Sequence, residues 1–148
     1  MADDHISLAV TSDGVLFAAV KTSFDTQGYP KLGLFRRHPD GTWDPLYLVA
    51  KVGTRPIVVI NEVESFMTFL YSSHELGGDI VYKESSLTTI QFGDRKQLLA
   101  SSFLTNVSST GASFVDDLVI IASGTTTNGI AVVDGVRLQR TPQNLLSR

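Results

Sequence analysis

The sequence has no cysteine and little charge of either sign. Without cysteine, disulfide bonds and thiolate metal sites are excluded, while a cysteine-free extracellular bacterial domain and a cytosolic protein both remain open. Charged residues make up 18% of the chain, below the ~25% typical of soluble domains. No apolar run reaches the ~18 residues of a membrane span, and the acidic, polar residues 1–6 do not resemble a signal peptide. We expect no membrane partner, and an extracytoplasmic location is favoured if the chain is an internal domain of a secreted protein.

A basic surface is also lacking. The net charge is −3, and the densest cationic run is Arg36, Arg37 and His38, which we interpret as a solvated strand end. Nucleic-acid binding is not expected, because the electrostatic attraction to phosphates is missing. Hydrophobic residues make up 43% of the 148 residues, so the chain can bury a core and suits one domain or one repeat array.

What the sequence does contain is a repeat of about fifty residues, which is the first pattern to seek in an unknown chain. Its strongest segments are three apolar runs at Leu16 to Ser23, Phe66 to Ser73 and Phe114 to Ser123. The residues that align across the repeats without a gap are Val20, Leu70 and Ile120, then Ser23, Ser73 and Ser123, and finally Ala50 and Ala100.

The segments around these runs predict further short strands. First strands are predicted at Ile6 to Val10, Pro56 to Ile60 and Asn106 to Thr110, and third strands at Lys31 to Arg37, Asp79 to Glu84 and Gly129 to Val133. Fourth strands are predicted at Leu46 to Ala50 and Gln97 to Ala100, with Leu145 and Leu146 as the candidate in the third repeat. Tight turns separate them, most clearly at Ser12-Asp13-Gly14 and at Pro39-Asp40-Gly41-Thr42.

Four strands in each unit of ~40–50 residues is the pattern of β-propeller blades. We therefore predict an all-β fold of three four-stranded antiparallel propeller blades, half of a six-bladed β-propeller, with blades at residues 1–50, 51–100 and 101–148 of a single repeat domain. The alternative is a single twelve-stranded sandwich or barrel, which would not need an internal repeat.

The turn at Asp40-Gly41-Thr42-Trp43 resembles the Asp-box of sialidase-like propellers, the superfamily with bacterial neuraminidase repeats. The family pattern is Ser-x-Asp-x-Gly-x-Thr-Trp, and this chain lacks both the Ser and the residue between Asp and Gly. The resemblance implies that Asp40 caps the turn through backbone N–H groups and that Trp43 packs between blade sheets. It implies a structural role for the turn, so it does not identify catalysis.

Three blades in an open arc would leave an apolar face at each end, and a blade normally buries both of its faces. We expect the exposed residues to be Leu8, Val10, Phe17 and Ala19 at one end, and Val119, Ile121, Ile130 and Val132 at the other. The arc can close with a second copy about a two-fold axis or with further blades of a parent chain. We favour the homodimer.

Catalytic signatures are missing from the sequence. The histidines fit no metal motif, no phosphate loop follows a strand, and no Gly-x-Ser-x-Gly elbow occurs, so we expect no cofactor, no metal and no catalytic residue. Sialidase chemistry would use a Tyr–Glu pair and three arginines. The candidates for the pair are Tyr71, Tyr82, Glu62 and Glu84, but only Arg55 stands at the start of a first strand, and its repeat equivalents are His5 and Thr105.

Ligand-binding candidates are instead the residues at equivalent strand ends. His5, Arg55 and Thr105 form one repeat-equivalent set, and Lys21, Tyr71 and Ile121 form another. Phe24 and Tyr29, in the longest and most aromatic loop, could stack on a sugar or a partner side chain, or could hold their own loop together. The alternative for both sets is that they cap strands near the surface.

The sequence leaves three alternative functions, in order of preference. The first is a non-catalytic binding or interaction module of a larger extracytoplasmic protein, with a glycan or protein ligand, that completes its propeller by homodimerisation. The second is a fragment or subunit of a sialidase-like glycoside hydrolase. The third is a purely structural assembly module, and an enzyme is the less favoured outcome overall.

Overall fold

In a computed structural model of the protein, the structure describes residues 2–24, 29–110 and 116–139, with backbone only for residues 2–4. Ten strands and no helix occur in these ranges. The strands of the first half are β1 (Ala2–Val10), β2 (Leu16–Thr22), β3 (Leu32–Arg37), β4 (Tyr47–Ala50) and β5 (Thr54–Asn61). Those of the second half are β6 (Phe66–Ser72), β7 (Gly78–Ser86), β8 (Lys96–Ser109), β9 (Asp117–Thr125) and β10 (Ala131–Gln139). The all-β prediction is confirmed.

The first sheet is an antiparallel meander of four strands in the order β1-β2-β3-β4. Its first hairpin closes at the predicted Ser12-Asp13-Gly14 turn, where Gly14 has φ = 88° and its N–H donates to the Thr11 carbonyl. Glycine suits this position because other residues pay a steric cost at positive φ. This sheet matches the predicted first repeat strand for strand.

The second sheet holds the other strands as one antiparallel meander of six, from β5 to β10. The sheet is curled, as shown by the approach of β8 to within 8 Å of β5 although two strands separate them in the sheet. Neighbouring strands lie ~4.8 Å apart, so a flat sheet would hold β5 and β8 beyond that distance.

Three separate blades are not confirmed. The predicted fourth strand of the second repeat and first strand of the third are one continuous strand, β8, which crosses the predicted boundary after Ala100. The first part of β8 pairs with β7 and its last part pairs with β9. The second and third repeats therefore share one sheet. The candidate fourth strand at Leu145 and Leu146 lies outside the described residues.

Two apolar clusters make up the core. The inter-sheet core lies between the first sheet and strands β5–β7, and its largest side chains come from Phe17, Leu34, Met67, Phe69 and Tyr71. The curl core lies inside the bend of the second sheet, with Val59, Leu70, Ile80, Leu104, Leu118 and Ile120. The molecule therefore has three layers, namely the first sheet, β5–β7, and the β8–β10 end of the second sheet.

The two outer layers each turn a partly apolar face to solvent. On the first sheet this N-terminal apolar face consists of Ile6, Leu8, Val10, Trp43 and Leu48. On the third layer the C-terminal apolar face consists of Val119, Ile121 and Val133. The exposure expected for Leu8, Val10, Val119 and Ile121 is confirmed, and Ile130 beside β10 is also exposed.

The exposure expected for Phe17, Ala19 and Val132 is wrong. Phe17 and Ala19 are 1% and 0% exposed and lie in the inter-sheet core, and Val132 packs against the curl core. The reason is the period of two along a strand, because adjacent residues point to opposite faces. Ala9 pairs with Phe17 on the inner face, whereas Leu8 pairs with Ala18 on the outer face.

Candidate functional site

A cleft that we call the turn-end cleft lies where the hairpin turns of both sheets meet. It has a volume of about 490 Å³. The β1–β2 turn contributes Ser12 and Asp13, the end of β3 contributes Arg36 and His38, and the β5–β6 turn contributes Glu62. The cleft thus joins carboxylates, a guanidinium and an imidazole at the boundary between the two sheets.

Asp44 organises the polar side of this cleft. Its carboxylate accepts hydrogen bonds from the Arg36 Nε at 2.5 Å and the Tyr47 hydroxyl at 2.6 Å, and its Oδ1 lies 2.8 Å from His38 Nε2. The hydrogen bond from Tyr47, together with those from His38 and Arg36, lowers the pKa of Asp44 from 3.8 to about 2. Burial and the nearby carboxylate raise the pKa of Tyr47. Asp44 is therefore an ionised acceptor that holds its neighbours.

Several of the polar groups in the turn-end cleft connect the two sheets. Arg36 donates to the carbonyls of Leu87 and Thr88 at 3.3 and 3.2 Å, and Glu62 accepts from the backbone N–H and the hydroxyl of Ser12 at 2.8 and 2.7 Å. These bonds span from the first sheet to the second. The polar lining therefore has a structural task, whatever else it binds.

The two glutamates considered for glycosidase chemistry are both engaged. Glu62 accepts both bonds from Ser12, and Glu84 pairs with Lys96 at 3.0 Å on the surface. A glycosidase needs two carboxylates facing one sugar. Glu62 lines the turn-end cleft, whereas Glu84 is not among the residues that line it.

A second, smaller pocket lies at the start of β7, and we call it the polar pocket. It has a volume of about 280 Å³. Its side chains come from Ser73, His74, Asp79, Arg95, Ser101 and Ser102, beside Gly77 and Gly78. Neither Arg95 nor His74 belongs to a motif in the sequence, and the recurrence of Ser73 in the repeat is the one sequence feature that points to this pocket.

Lys21 and Tyr71, from one predicted binding set, both lie at the interface between the sheets. The Lys21 side chain is 7% exposed and forms an ion pair with Glu75. Tyr71 is 2% exposed and packs in the inter-sheet core, where burial raises the pKa of its hydroxyl while the charge of Arg95 acts in the opposite direction. Ile121 of the same set lies instead on the C-terminal apolar face, 51% exposed.

The other predicted set shares a local feature that the sequence did not show. His5 lies at the irregularity between Ala2 and Ile6 of β1, and Arg55 lies at the one between Thr54 and Ile57 of β5. Thr105 lies at the irregularity between Leu104 and Asn106 of β8. All three are half-buried. Bulges re-aim side chains, so these positions are special in the backbone as well as in the repeat.

Phe24 and Tyr29 contact each other, with ring centroids 5.0 Å apart. They flank residues 25–28, which lie outside the described residues. Both rings also keep exposed surface, at 39% and 55%. The contact fits the interpretation that they hold their own loop together, and the exposed surface leaves the stacking prediction open.

The Asp-box-like turn has the predicted cap. Asp40 Oδ1 accepts from the Thr42 backbone N–H at 2.9 Å and from its hydroxyl at 2.7 Å, and Gly41 has φ = 93°. Trp43 does not pack between the sheets. It is 54% exposed on the N-terminal apolar face, where its ring meets the edge of Phe35 at 6.2 Å.

Comparison with protein-family models, with curated proteins and with solved structures finds no match to this chain. The sialidase-like resemblance therefore stays a prediction from the turn and the strand pattern.

In residues 2–24, 29–110 and 116–139, no group of three or more His, Asp or Glu side chains could hold a metal ion. Within the same ranges, no helix is long and apolar enough to cross a membrane.

Proposed function

We propose that this protein is a non-catalytic interaction module of propeller-like architecture that self-associates through its two apolar end faces. In the dimer, the N-terminal apolar face of one copy packs on the C-terminal apolar face of the other. The observation that carries the proposal is the N-terminal apolar face, where Ile6, Leu8, Val10 and Leu48 are 56–64% exposed on one side of one sheet.

The arrangement of the first two layers supports a propeller-like architecture. In propellers, consecutive sheets pack face to face around a centre. Here β1 and β5, the first strand of each sheet, lie close together, and the Val58 N–H donates to the Ser7 hydroxyl at 3.3 Å. The inter-sheet core then fills the space between the two sheets.

The composition of the end faces supports burial by a partner. Contiguous apolar patches on soluble proteins mark interaction surfaces or aggregation hazards. Leu8 pairs with Ala18, which pairs with Phe35, so apolar side chains continue across three strands of the outer face. Trp43 adds an aromatic ring at the end of β3, and exposed aromatic side chains are enriched at protein interfaces.

The test is the mass of the protein in solution, measured by light scattering and sedimentation over a concentration series. We expect the wild type to have twice the mass of the chain and Leu8→Lys to have the mass of a monomer. Leu8 is 58% exposed, so the substitution should leave the fold intact, as judged by circular dichroism and melting temperature. A lysine would place a charge in the middle of the apolar contact.

The matched control is Leu76→Lys, the same substitution at a leucine that is 93% exposed in the β6–β7 turn. It should stay dimeric. A wild type that is monomeric at micromolar concentration, or a Leu8→Lys protein that remains dimeric, would overturn the proposal.

A further inference from the structure

We propose that the polar pocket binds a small oxyanion, or the oxyanion group of a larger ligand, with Arg95 as its main anchor. The pocket holds two basic side chains, Arg95 and His74, and three serine hydroxyls around a space of about 280 Å³. This site is independent of the end faces that carry the proposed self-association.

The hydrogen bonding of their arginines distinguishes the polar pocket from the turn-end cleft. Arg36 already donates four hydrogen bonds, to Asp44, Tyr47 and two backbone carbonyls. Arg95 forms no hydrogen bond or ion pair with any residue in the described part of the chain. A guanidinium has five N–H donors in a planar fork that suits carboxylate, phosphate and sulfate oxygens.

The hydroxyl donors are held around the same space. The Asp79 carboxylate accepts the Ser101 backbone N–H at 2.9 Å, and the Ser101 hydroxyl accepts the Phe103 N–H at 3.1 Å, which directs the hydroxyl hydrogen elsewhere. Ser73 is buried and borders the pocket. Short hydroxyl donors beside a guanidinium form a set that recognises oxyanions rather than cations.

The pocket depends on glycine at position 78, because glycine has no side chain to fill the space. A Cβ on Gly78 would lie 2.5 Å from the Ser73 hydroxyl and 3.4 Å from the His74 ring. Any larger residue would therefore displace the Ser73 hydroxyl and crowd the His74 ring. The glycine lets both approach the start of β7.

Asp79 opposes an anion and gives the proposal its sharpest test. Its carboxylate lines the pocket, so its charge should weaken oxyanion binding. Asp79→Asn keeps an oxygen to accept the Ser101 N–H and removes the charge. An oxyanion should bind more tightly to this variant, whereas a neutral polyol should not.

The experiment is a titration of the full chain, followed by amide NMR shifts at constant ionic strength, with inorganic phosphate, sulfate, acetate and glucose in separate series. We expect saturable shifts at Gly77, Gly78, Ser101 and Ser102 with at least one oxyanion and none with glucose. The three anions distinguish tetrahedral from carboxylate ligands. Arg95→Gln should weaken binding about tenfold, in line with the loss of one charged hydrogen bond.

The matched control is Lys96→Gln, which removes one positive charge at the next residue, outside the pocket. It should change the affinity less than twofold, and Asp79→Asn should raise it. Equal losses in Arg95→Gln and Lys96→Gln, saturation by glucose alone, or no saturable shift with any anion would each overturn the proposal. None of these results depends on the dimer, which Leu8→Lys tests separately.

Discussion

At the scale of single residues, Asp44 shows how one carboxylate connects a turn to a sheet. It follows the Asp-box-like turn and gathers Arg36, His38 and Tyr47. Through Arg36 it also supports the bonds to Leu87 and Thr88 in the second sheet. The run of Arg36 to His38 that looks like a solvated strand end in the sequence is therefore partly an organised cluster.

Asp44→Asn should lower stability in a pH-dependent way. The pKa of Asp44 is lowered to about 2 in the folded protein, from 3.8, so its contribution is fully present above the unfolded value and is lost as the pH falls through the folded one. We expect the free energy of unfolding of the wild type to exceed that of Asp44→Asn at pH 5–7, by an amount that shrinks between about pH 4 and about pH 2.

Urea unfolding at a series of pH values measures this difference. Tyr47→Phe removes the hydrogen bond with the largest effect on the Asp44 pKa, together with the bond that the Tyr47 hydroxyl accepts from Arg36. It should show the same trend with a smaller amplitude. Wild-type and Asp44→Asn curves that stay parallel down to the lowest pH would show that Asp44 has no such role.

At the scale of secondary-structure elements, the important strand is β8. Its 14 residues pair with two neighbouring strands, with β7 through the first part of β8 and with β9 through the last part. Gly78 of β7 pairs with Leu104 of β8, but Ile80, two residues later, pairs with Leu99. The residues of β8 between these two pairs outnumber those of β7, and such an irregularity bends a sheet. This bend places β9 and β10 over the curl core.

Gly124→Ala should destabilise the protein by about 3 kcal/mol, because overpacking a tight backbone contact forces a shift of the chain. A Cβ on Gly124 would lie 1.7 Å from the Phe103 carbonyl oxygen, at the point where β9 crosses the bend of β8. The free energy of unfolding in urea measures the loss.

The control is Gly93→Ala, where the nearest atom to a new Cβ is 3.9 Å away. We expect a change within about 0.5 kcal/mol. If Gly124→Ala were as mild, β8 and β9 would not be packed this closely, and the joining of the second and third repeats would be in doubt.

The strands themselves could largely be predicted from the sequence, but their faces could not. The predicted Leu16 to Ser23 and Phe66 to Ser73 are β2 and β6 within one residue. Yet Ala9 lies in the inter-sheet core, whereas Val59, fifty residues later, lies in the curl core. Ala9 pairs with Phe17, whereas Val59 pairs with Thr68, so the second hairpin is shifted by one residue. A shift of one residue turns every side chain of a strand to the other face.

At the scale of the whole molecule, the three layers leave two different faces open. The N-terminal face contains Leu8 and Trp43, and the C-terminal face contains Ile121 and Val133. Two unlike faces at opposite ends form a closed dimer only if each copy offers both to its partner. A pairing of like with like would instead leave one face of each copy exposed.

Mixing two single variants distinguishes these arrangements. Leu8→Lys and Ile121→Lys should each be monomeric, because either damages both contacts of a closed dimer. Their equimolar mixture should regain a weaker dimer, since one of its two contacts then has both faces intact. Sedimentation of the separate and mixed proteins measures this. An Ile121→Lys protein that dimerises like the wild type would instead indicate that N-terminal faces pair with each other.

The sequence by itself determined the class of the protein, because alternating apolar residues and turn glycines act over a few residues. It specified the four strands of the first sheet, the turn at Gly14 and the cap by Asp40. Only the tertiary structure decided that the second and third repeats share a sheet, which face of each strand is buried, and that Arg95 and His74 meet in one pocket. These features depend on strand register, on bulges and on residues distant in the chain, and a local pattern carries no information about them.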